Sequence, residues 1–332
     1  MTAAQYDVLG IGNAIVDIIG RCEDSFLKTH GLTKGVMRLI EADEMSRLYG
    51  KMGPAVEISG GSAANTIAGV ASFGGRAAFI GKVADDEFGR IFGHDIRAQG
   101  VTFETPRVSG SLPTSRSLIL VTPEGERTMS TFLGVSTHLD HGEVDRKAVA
   151  ASRIVYLEGY LFDRPQAKAA FHQAAQFARE AGRLVALTLS DPFCVERHRD
   201  EFKALIDERA DIVFANENEL KSLYQLPSLE AAIGEAATTR PLFVVTRGPK
   251  GSLALKDGRR VEIPAEPVAK VVDTTGAGDL YAAGFLFGLA KGHDIKTCGL
   301  LGSLAAAEVI AHLGARPEVQ LQILARKKGL PV

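Results

Sequence analysis

The sequence predicts an α/β fold: a mainly parallel sheet covered by helices on both faces. Two observations carry that expectation. Short apolar runs alternate with amphipathic stretches long enough for helices, and 332 residues at 45% hydrophobic and 23% charged content suffice for one large core. In chain order, residues 6–11, 77–80, 154–157, 184–189, 212–215, 242–245 and 252–255 read as strands, being short and apolar. Residues 63–73, 166–181, 202–209 and 229–237 read as the helices between them. Ligands of such a sheet collect at the carboxyl ends of its strands. Two segments, about 18–58 and about 103–133, break the alternation. Both carry apolar/polar patches such as 116–122, and a turn at Pro123-Glu124-Gly125 predicts a hairpin in the second.

Composition excludes several function classes. Net charge is −2, with no basic stripe of the kind that phosphate-backbone binding needs, so no nucleic-acid partner is expected. Cys22, Cys194 and Cys298 are scattered without a Cys-x-x-Cys pair, which fits reduced thiols and a cytoplasmic location. The N-terminal region lacks a cationic segment leading an apolar one, and runs such as 282–290 are too short to span a bilayer. Neither secretion nor a membrane partner is expected.

The most informative stretch is Val271 to Asp279, VVDTTGAGD, followed by the apolar run 280–289. Gly276, Ala277 and Gly278 have almost no side chain, so their N–H groups can converge on an anion at the positive end of a helix. A carboxylate at Asp279, beside a bound phosphate, is repelled unless it accepts a proton from an attacking hydroxyl; the alternative is that it complements the helix dipole. Gly60 and Gly61 allow close backbone approach to a ligand, and Asn65 follows on a helix whose first turn is otherwise Ser and Ala. Gly10-Ile11-Gly12 after a strand hints at a dinucleotide fingerprint, but the third glycine is missing. A tight turn that releases Asn13 and Asp17 into a site is the better reading. Asp17 can accept from both hydroxyls of a vicinal diol, or serve as a turn residue.

Asn216 and Glu219, at i and i+3 directly after a strand, face the same way and suit the waters around Mg²⁺, or form a solvated acidic turn. Arg127 could pair with a transferred phosphate or be a solvated hairpin arginine. His138 and His141 flank Asp140 without a further ligand for a metal.

Four elements in this order resemble the signatures of the ribokinase-like (PfkB) family of carbohydrate and nucleoside kinases. They are Gly60-Gly61-Ser62-Ala63-Ala64-Asn65, the Asn-x-x-Glu of Asn216 and Glu219, the Thr-x-Gly-x-x-Gly of Thr246, Gly248 and Gly251, and DTTGAGD. The resemblance implies a ribokinase-like three-layer αβα sandwich with a small lid of strands and helices. The whole of 1–332 is then one kinase unit, with a lid from about 18–58 and 103–133 and a core from about 1–17, 59–102 and 134–332. It implies ATP and Mg²⁺, with Asp279 as base and Gly276, Ala277, Gly278 and Arg127 around the phosphate. Asn216, Thr246, Gly248 and Gly251 would then contact the nucleotide, and Asn216 and Glu219 would hold Mg²⁺ through water. The loop 312–317, with Asp273 and Thr275, resembles a monovalent-cation site for K⁺.

Within the family the chain is most similar to adenosine kinases, through Gly12 to Asp17, Phe26-Leu27, Gly31-Leu32 and Gly60 to Asn65. That places Asn13, Asp17, Gly60, Gly61 and Asn65 on a ribose, and Ile15, Met129 and Leu161, with Tyr160, around a base. Thr275 stands where many adenosine kinases have Asn, and sugar kinases share it; the hairpin 113–129 is only loosely similar. A ribose-type or fructose-type sugar, or another nucleoside, therefore stays open as acceptor. So do monomer and homodimer. A binding protein that keeps the fold without catalysis is the reading from another class, and intact Asp279, Asn216 and Glu219 argue against it.

Overall fold

Val8 and Leu9, adjacent in strand β1 (Tyr6–Ile11), enter two different hydrophobic cores, and that alternation sets the layering. The computed structural model describes residues 4–110 and 112–332; residues 1–3 and 111, inside the expected core and lid spans, lie outside the described residues. After β1 come β2 (Ile15–Arg21), α1 (Asp24–Thr29), β3 (Met37–Leu39), α2 (Ala42–Tyr49), β4 (Ala55–Gly60) and α3 (Ser62–Ser72). Next are β5 (Ala77–Ile80), α4 (Glu87–Ala98), β6 (Val101–Phe103), β7 (Ser115–Val121), β8 (Arg127–Phe132) and α5 (Arg146–Ala150). The chain continues through β9 (Ser152–Glu158), α6 (Pro165–Glu180), β10 (Leu184–Thr188), α7 (Pro192–Glu208), β11 (Ile212–Asn216), α8 (Glu217–Tyr224) and α9 (Leu229–Thr238). It closes with β12 (Leu242–Thr246), β13 (Ser252–Lys256), β14 (Arg259–Ile263), α10 (Ala277–Ala290), α11 (Ile295–Val309) and α12 (Leu321–Lys327).

Nine strands form one sheet in the order β14-β13-β12-β11-β10-β9-β1-β5-β6. Pairing is parallel except at the β12-β13 and β13-β14 edge. In β9, Ile154 and Tyr156 face the core under α3, α10 and α11, while Val155 and Leu157 face the core under α6 to α9. Burial on both faces is why these strands read as continuous apolar runs in the sequence. The result is the three-layer αβα sandwich that the alternation predicts. No helix among the described residues is long and apolar enough to cross a membrane.

A second sheet, ordered β3-β8-β7-β2-β4, is built largely from strands in the two segments that break the alternation, with α1 and α2 between them. β7 and β8 pair antiparallel around the turn at Gly125, where Thr122 N donates to Glu126 O at 3.0 Å. Its limits differ from the expected spans. β2 starts at Ile15 and β4 runs to Gly60, while Phe103 ends β6 at the edge of the large sheet. Sequence pattern places such ends poorly, because only pairing decides which sheet a terminal residue joins.

α10 is apolar around its whole circumference because α3 and α11 pack on it. A Cβ added at Gly284 would stand 2.4 Å from Leu301 O, a backbone atom that cannot step aside. Gly284→Ala should therefore destabilise the fold by about 1–3 kcal/mol despite alanine's higher helix propensity. A urea midpoint equal to or above wild type would show that the two helices have room to separate.

Candidate functional site

A cavity of about 630 Å³ lies between the second sheet and the carboxyl ends of β9 to β12. One wall is the N-terminus of α10. Its N-cap, Gly276, has φ 77°, a left-handed conformation that suits glycine, and Cβ there would meet Ala315 at 2.7 Å. No side chain caps this helix, so the first-turn N–H groups have no side-chain partner, and the space beside Gly278 is open. Thr274 to Asp279 all line the cavity. The backbone donors and the positive helix end are therefore aimed where an anion can enter.

Asp279 stands at the edge of this anion wall. Ser62 Oγ donates to its Oδ1 at 2.6 Å and Asn65 Nδ2 to its Oδ2 at 3.0 Å. Both donors belong to α3, whose N-cap Gly61 has φ 98° and would put a Cβ 2.2 Å from Asn13 O. The Gly60-Gly61 turn thus delivers two donors to a carboxylate more than 200 positions away in the chain. Burial raises the Asp279 pKa, and the Ser62 and Asn65 hydrogen bonds and the Arg316 charge oppose that rise.

Asp17, on β2, faces the same cavity and accepts no hydrogen bond from a side chain among the described residues. Burial, opposed by the charges of Arg316 and Arg127, raises it to about 6. Gly60 does not line the cavity; a Cβ there would lie 2.3 Å from the Asp17 carboxylate, so this glycine makes room for that side chain. Asn13 lines the cavity with both ends of its amide engaged: Nδ2 donates to Glu158 Oε1 at 2.7 Å and Oδ1 accepts from Ser136 Oγ at 2.8 Å. Ile15 and Met129 line the apolar end together with Met37, Leu39, Tyr160 and Phe193.

Asn216 and Glu219 also reach the cavity, but as a reciprocal cap rather than a solvated turn. Asn216 Oδ1 accepts from the N–H groups of Asn218 and Glu219, both at 2.9 Å, and Glu219 Oε2 accepts from Asn216 N at 2.9 Å. Burial pushes Glu219 up to about 7. Its oxygens are engaged with Asn216, so a metal ion would be met through water.

Several expected site residues lie elsewhere. Leu161 is buried in the core under α6 and α7, because the turn after β9 points Tyr160 outward and Leu161 inward. Thr246 reaches the cavity at the end of β12, whereas Gly248 and Gly251 shape the turn into β13 and do not line it. Arg127 is not a solvated hairpin residue: it pairs with Asp273 at 2.8 Å, and both side chains are buried. Asp273 also accepts from Thr275 N and Gly314 N, each at 3.0 Å, so its carboxylate is already committed to the protein, while Thr275 lines the cavity. His138 ends a short 3-10 turn, and its carbonyl accepts from Lys82 Nζ.

Sequence reasoning passed over three participants. Glu158, fully buried at the end of β9, accepts from Asn13 and from Ala63 N at 2.7 Å, and burial raises it to about 7. Its signal was an acid directly after the apolar run 154–157 at the carboxyl edge of the sheet. Ser62 lay inside the Gly-Gly motif and Arg316 inside the loop 312–317, but their partners are distant in sequence.

These raised carboxyls make stability depend on pH. Asp17, Glu158 and Glu219 bind protons more readily folded than unfolded, against ordinary values of 3.8 and 4.5. Their contribution is present below the ordinary values and is lost as pH rises through 6 to 7. Asp7 and Asp86, where hydrogen bonds outweigh burial and lower the pKa, act only below about 4. The denaturant midpoint of the free protein should fall between about pH 5.5 and pH 8. A midpoint that climbs across that window would mean that these carboxyls do not control it.

The pfkB family carbohydrate kinase model matches residues 37–321. The structure of adenosine kinase from Sinorhizobium meliloti is 53% identical, with a TM-score of 0.91 over 98% of this chain and 100% of that one. The structure of a probable sugar kinase from Rhizobium etli is 48% identical, also with a TM-score of 0.91, over 99% and 100%. Fructokinase of Klebsiella pneumoniae is 28% identical over 78% of this chain and 90% of its own. The chain belongs to the PfkB family of carbohydrate kinases, ATP-using phosphotransferases with an alcohol group as acceptor.

Proposed function

We propose that the protein transfers the γ-phosphate of ATP to the 5′-hydroxyl of adenosine, giving AMP and ADP. One observation carries the choice of acceptor: the large apolar side chains in the cavity lining. Met37, Leu39 and Phe193 are 53%, 60% and 68% exposed around its mouth, with Ile15, Met129 and Tyr160 also lining it. Large apolar side chains left open around a cavity suit a flat, poorly hydrated base, which a free sugar lacks. The 53% identity to an adenosine kinase supports the same reading.

Each polar group then has a task. Asp17 accepts from the ribose diol, and Asp279 takes the proton of the attacking 5′-hydroxyl. The amides of Gly276 and Gly278, with Ala277 between them donating to Thr274 O at 3.2 Å, hold the phosphate as charge shifts toward its leaving oxygen. Glu219, fixed by Asn216, would order waters around Mg²⁺, which supplies charge neutralisation of the phosphates. The second sheet acts as a lid whose closure excludes water from ATP, and Arg127 leaves Asp273 for the transferred phosphate.

The sugar kinase reading keeps two supports: Thr275 at the cavity wall and the 48% identity to a probable sugar kinase. Comparing kcat/KM for adenosine, 2′-deoxyadenosine, a 7-deaza analogue, ribose and fructose separates the readings. Losing the 2′-hydroxyl leaves Asp17 without a partner and should cost more than altering the base at constant shape. Free sugars outperforming every nucleoside would replace the adenosine reading with the sugar kinase one.

A further inference from the structure

The carboxylates Asp17 and Asp279 come from opposite ends of the chain, yet one cation stands behind both. Arg316 lies in the loop after α11. Its Nε and Nη2 donate to Ser59 O at 3.0 and 2.8 Å, Nη2 also to Ser59 Oγ at 3.0 Å, and Nη1 to Ala64 O at 2.5 Å. Ser59 is the last residue but one of the lid strand β4, next to Gly60, and Ala64 sits in the first turn of α3. The guanidinium therefore spans the Gly60-Gly61 turn from both sides. That turn brings Ser62 and Asn65 onto Asp279 and makes room for the Asp17 carboxylate.

We propose that Arg316 is a positioning residue for phosphoryl transfer: its fork clamps the Gly60-Gly61 turn that holds Ser62 and Asn65 on Asp279, and its charge favours the ionised forms of Asp17 and Asp279. The inference rests on the kinase reading above for its role in turnover, but not for its effect on the carboxylates. Two like charges in one enclosed site disfavour each other, and the Asp279 charge does raise Asp17. The other groups that face Asp279 are acids or phenols: Glu158, Tyr156 and Tyr160 from β9 and the turn after it, and Glu219 from α8. Arg127 of β8 acts on Asp17, and Arg316 acts on both carboxylates. Asp95 of α4 also acts on Arg316 by its charge and accepts from Ser59 N and Oγ at 2.8 and 2.6 Å, so Ser59 is bonded to both. Burial lowers the Arg316 pKa to about 10, which leaves its charge constant through the working range. A lysine would keep that charge but could not present a planar fork to two carbonyls at once.

The test is a ¹³C-carboxyl NMR titration of the free protein, wild type against Arg316→Gln and Arg316→Lys, with Asp17→Asn and Asp279→Asn to assign the signals. In Arg316→Gln the Asp17 and Asp279 midpoints should both rise by about one pH unit or more, the usual effect of removing an adjacent opposite charge. In Arg316→Lys they should stay within about half a unit of wild type, because the charge remains. The acid limb of kcat/KM should follow the midpoints in each variant, while Arg316→Lys raises the acceptor KM through the lost fork. Arg316→Met provides a second charge-free side chain if Arg316→Gln does not fold. Unmoved midpoints in a folded, charge-free variant overturn the proposal, as does Arg316→Lys shifting them as far as Arg316→Gln. If wild type phosphorylates no acceptor, the kinase reading fails, and the titration still decides the action of Arg316 on the two carboxylates.

Discussion

Asp279→Asn should lower kcat by about 10² to 10⁴ while leaving ATP affinity nearly intact, the usual span for loss of a general base. The amide keeps the shape of the carboxylate but cannot take the hydroxyl proton. Among the groups at the α10 N-terminus, Ala277, Gly278 and Thr274 to Gly276 offer no base in its place. Binding should survive because the anion wall is backbone, which the substitution does not touch. Asn at 279 can still accept from Ser62 but meets the Asn65 amide donor to donor, so some local rearrangement accompanies the loss. Steady-state turnover with a parallel nucleotide titration checks this. Turnover near wild type would remove Asp279 from the base role, and a matched fall in nucleotide affinity would make it a structural cap.

Asp17→Ala should raise the acceptor KM by about 10- to 100-fold, the effect of losing charged hydrogen bonds worth about 1.5–3 kcal/mol, and should scarcely change ATP affinity. Asp17 is the one cavity carboxylate that accepts no hydrogen bond, from side chain or backbone, among the described residues, whereas Asp279, Glu158, Glu219, Asp163 and Asp191 are all engaged. A group so placed is available to a ligand. Its pKa, raised to about 6 by burial, adds a pH signature: acceptor affinity should weaken as pH falls through that value, since the protonated acid accepts less well. Two binding titrations decide the matter. Loss of nucleotide affinity with acceptor affinity intact would move Asp17 to the other end of the cavity.

Local backbone signals found the turns at Gly61 and Gly276, whereas Gly248 and Gly251 shape a turn that does not line the cavity. Gly61 and Gly276 needed their left-handed φ values, and Asn216 sat where a strand ends and a helix begins. Side-chain partners were harder. Asn13 and Asn65 read as ligands for a sugar, yet in the free protein their amides hold Glu158 and Asp279. Arg127 and Asp273 were given separate tasks, and the fold pairs them. Tyr160 and Leu161 formed one expected pair, but the turn after β9 separates them into cavity and core.

The sequence by itself determined the layered α/β architecture, the glycine-framed helix start at Gly276 to Gly278 as a candidate anion site, and the candidate base beside it. These depend on hydrophobic period, glycine placement and residues close together in the chain, which a single strand of text preserves. Only the tertiary structure decided that Glu158 anchors Asn13 and α3, that Arg127 meets Asp273, and that Arg316 stands behind both Asp17 and Asp279. Each of those contacts joins elements from different sheets or layers, and electrostatic strength depends on burial and distance in the folded chain. Neither quantity has a period or a spacing that sequence can carry.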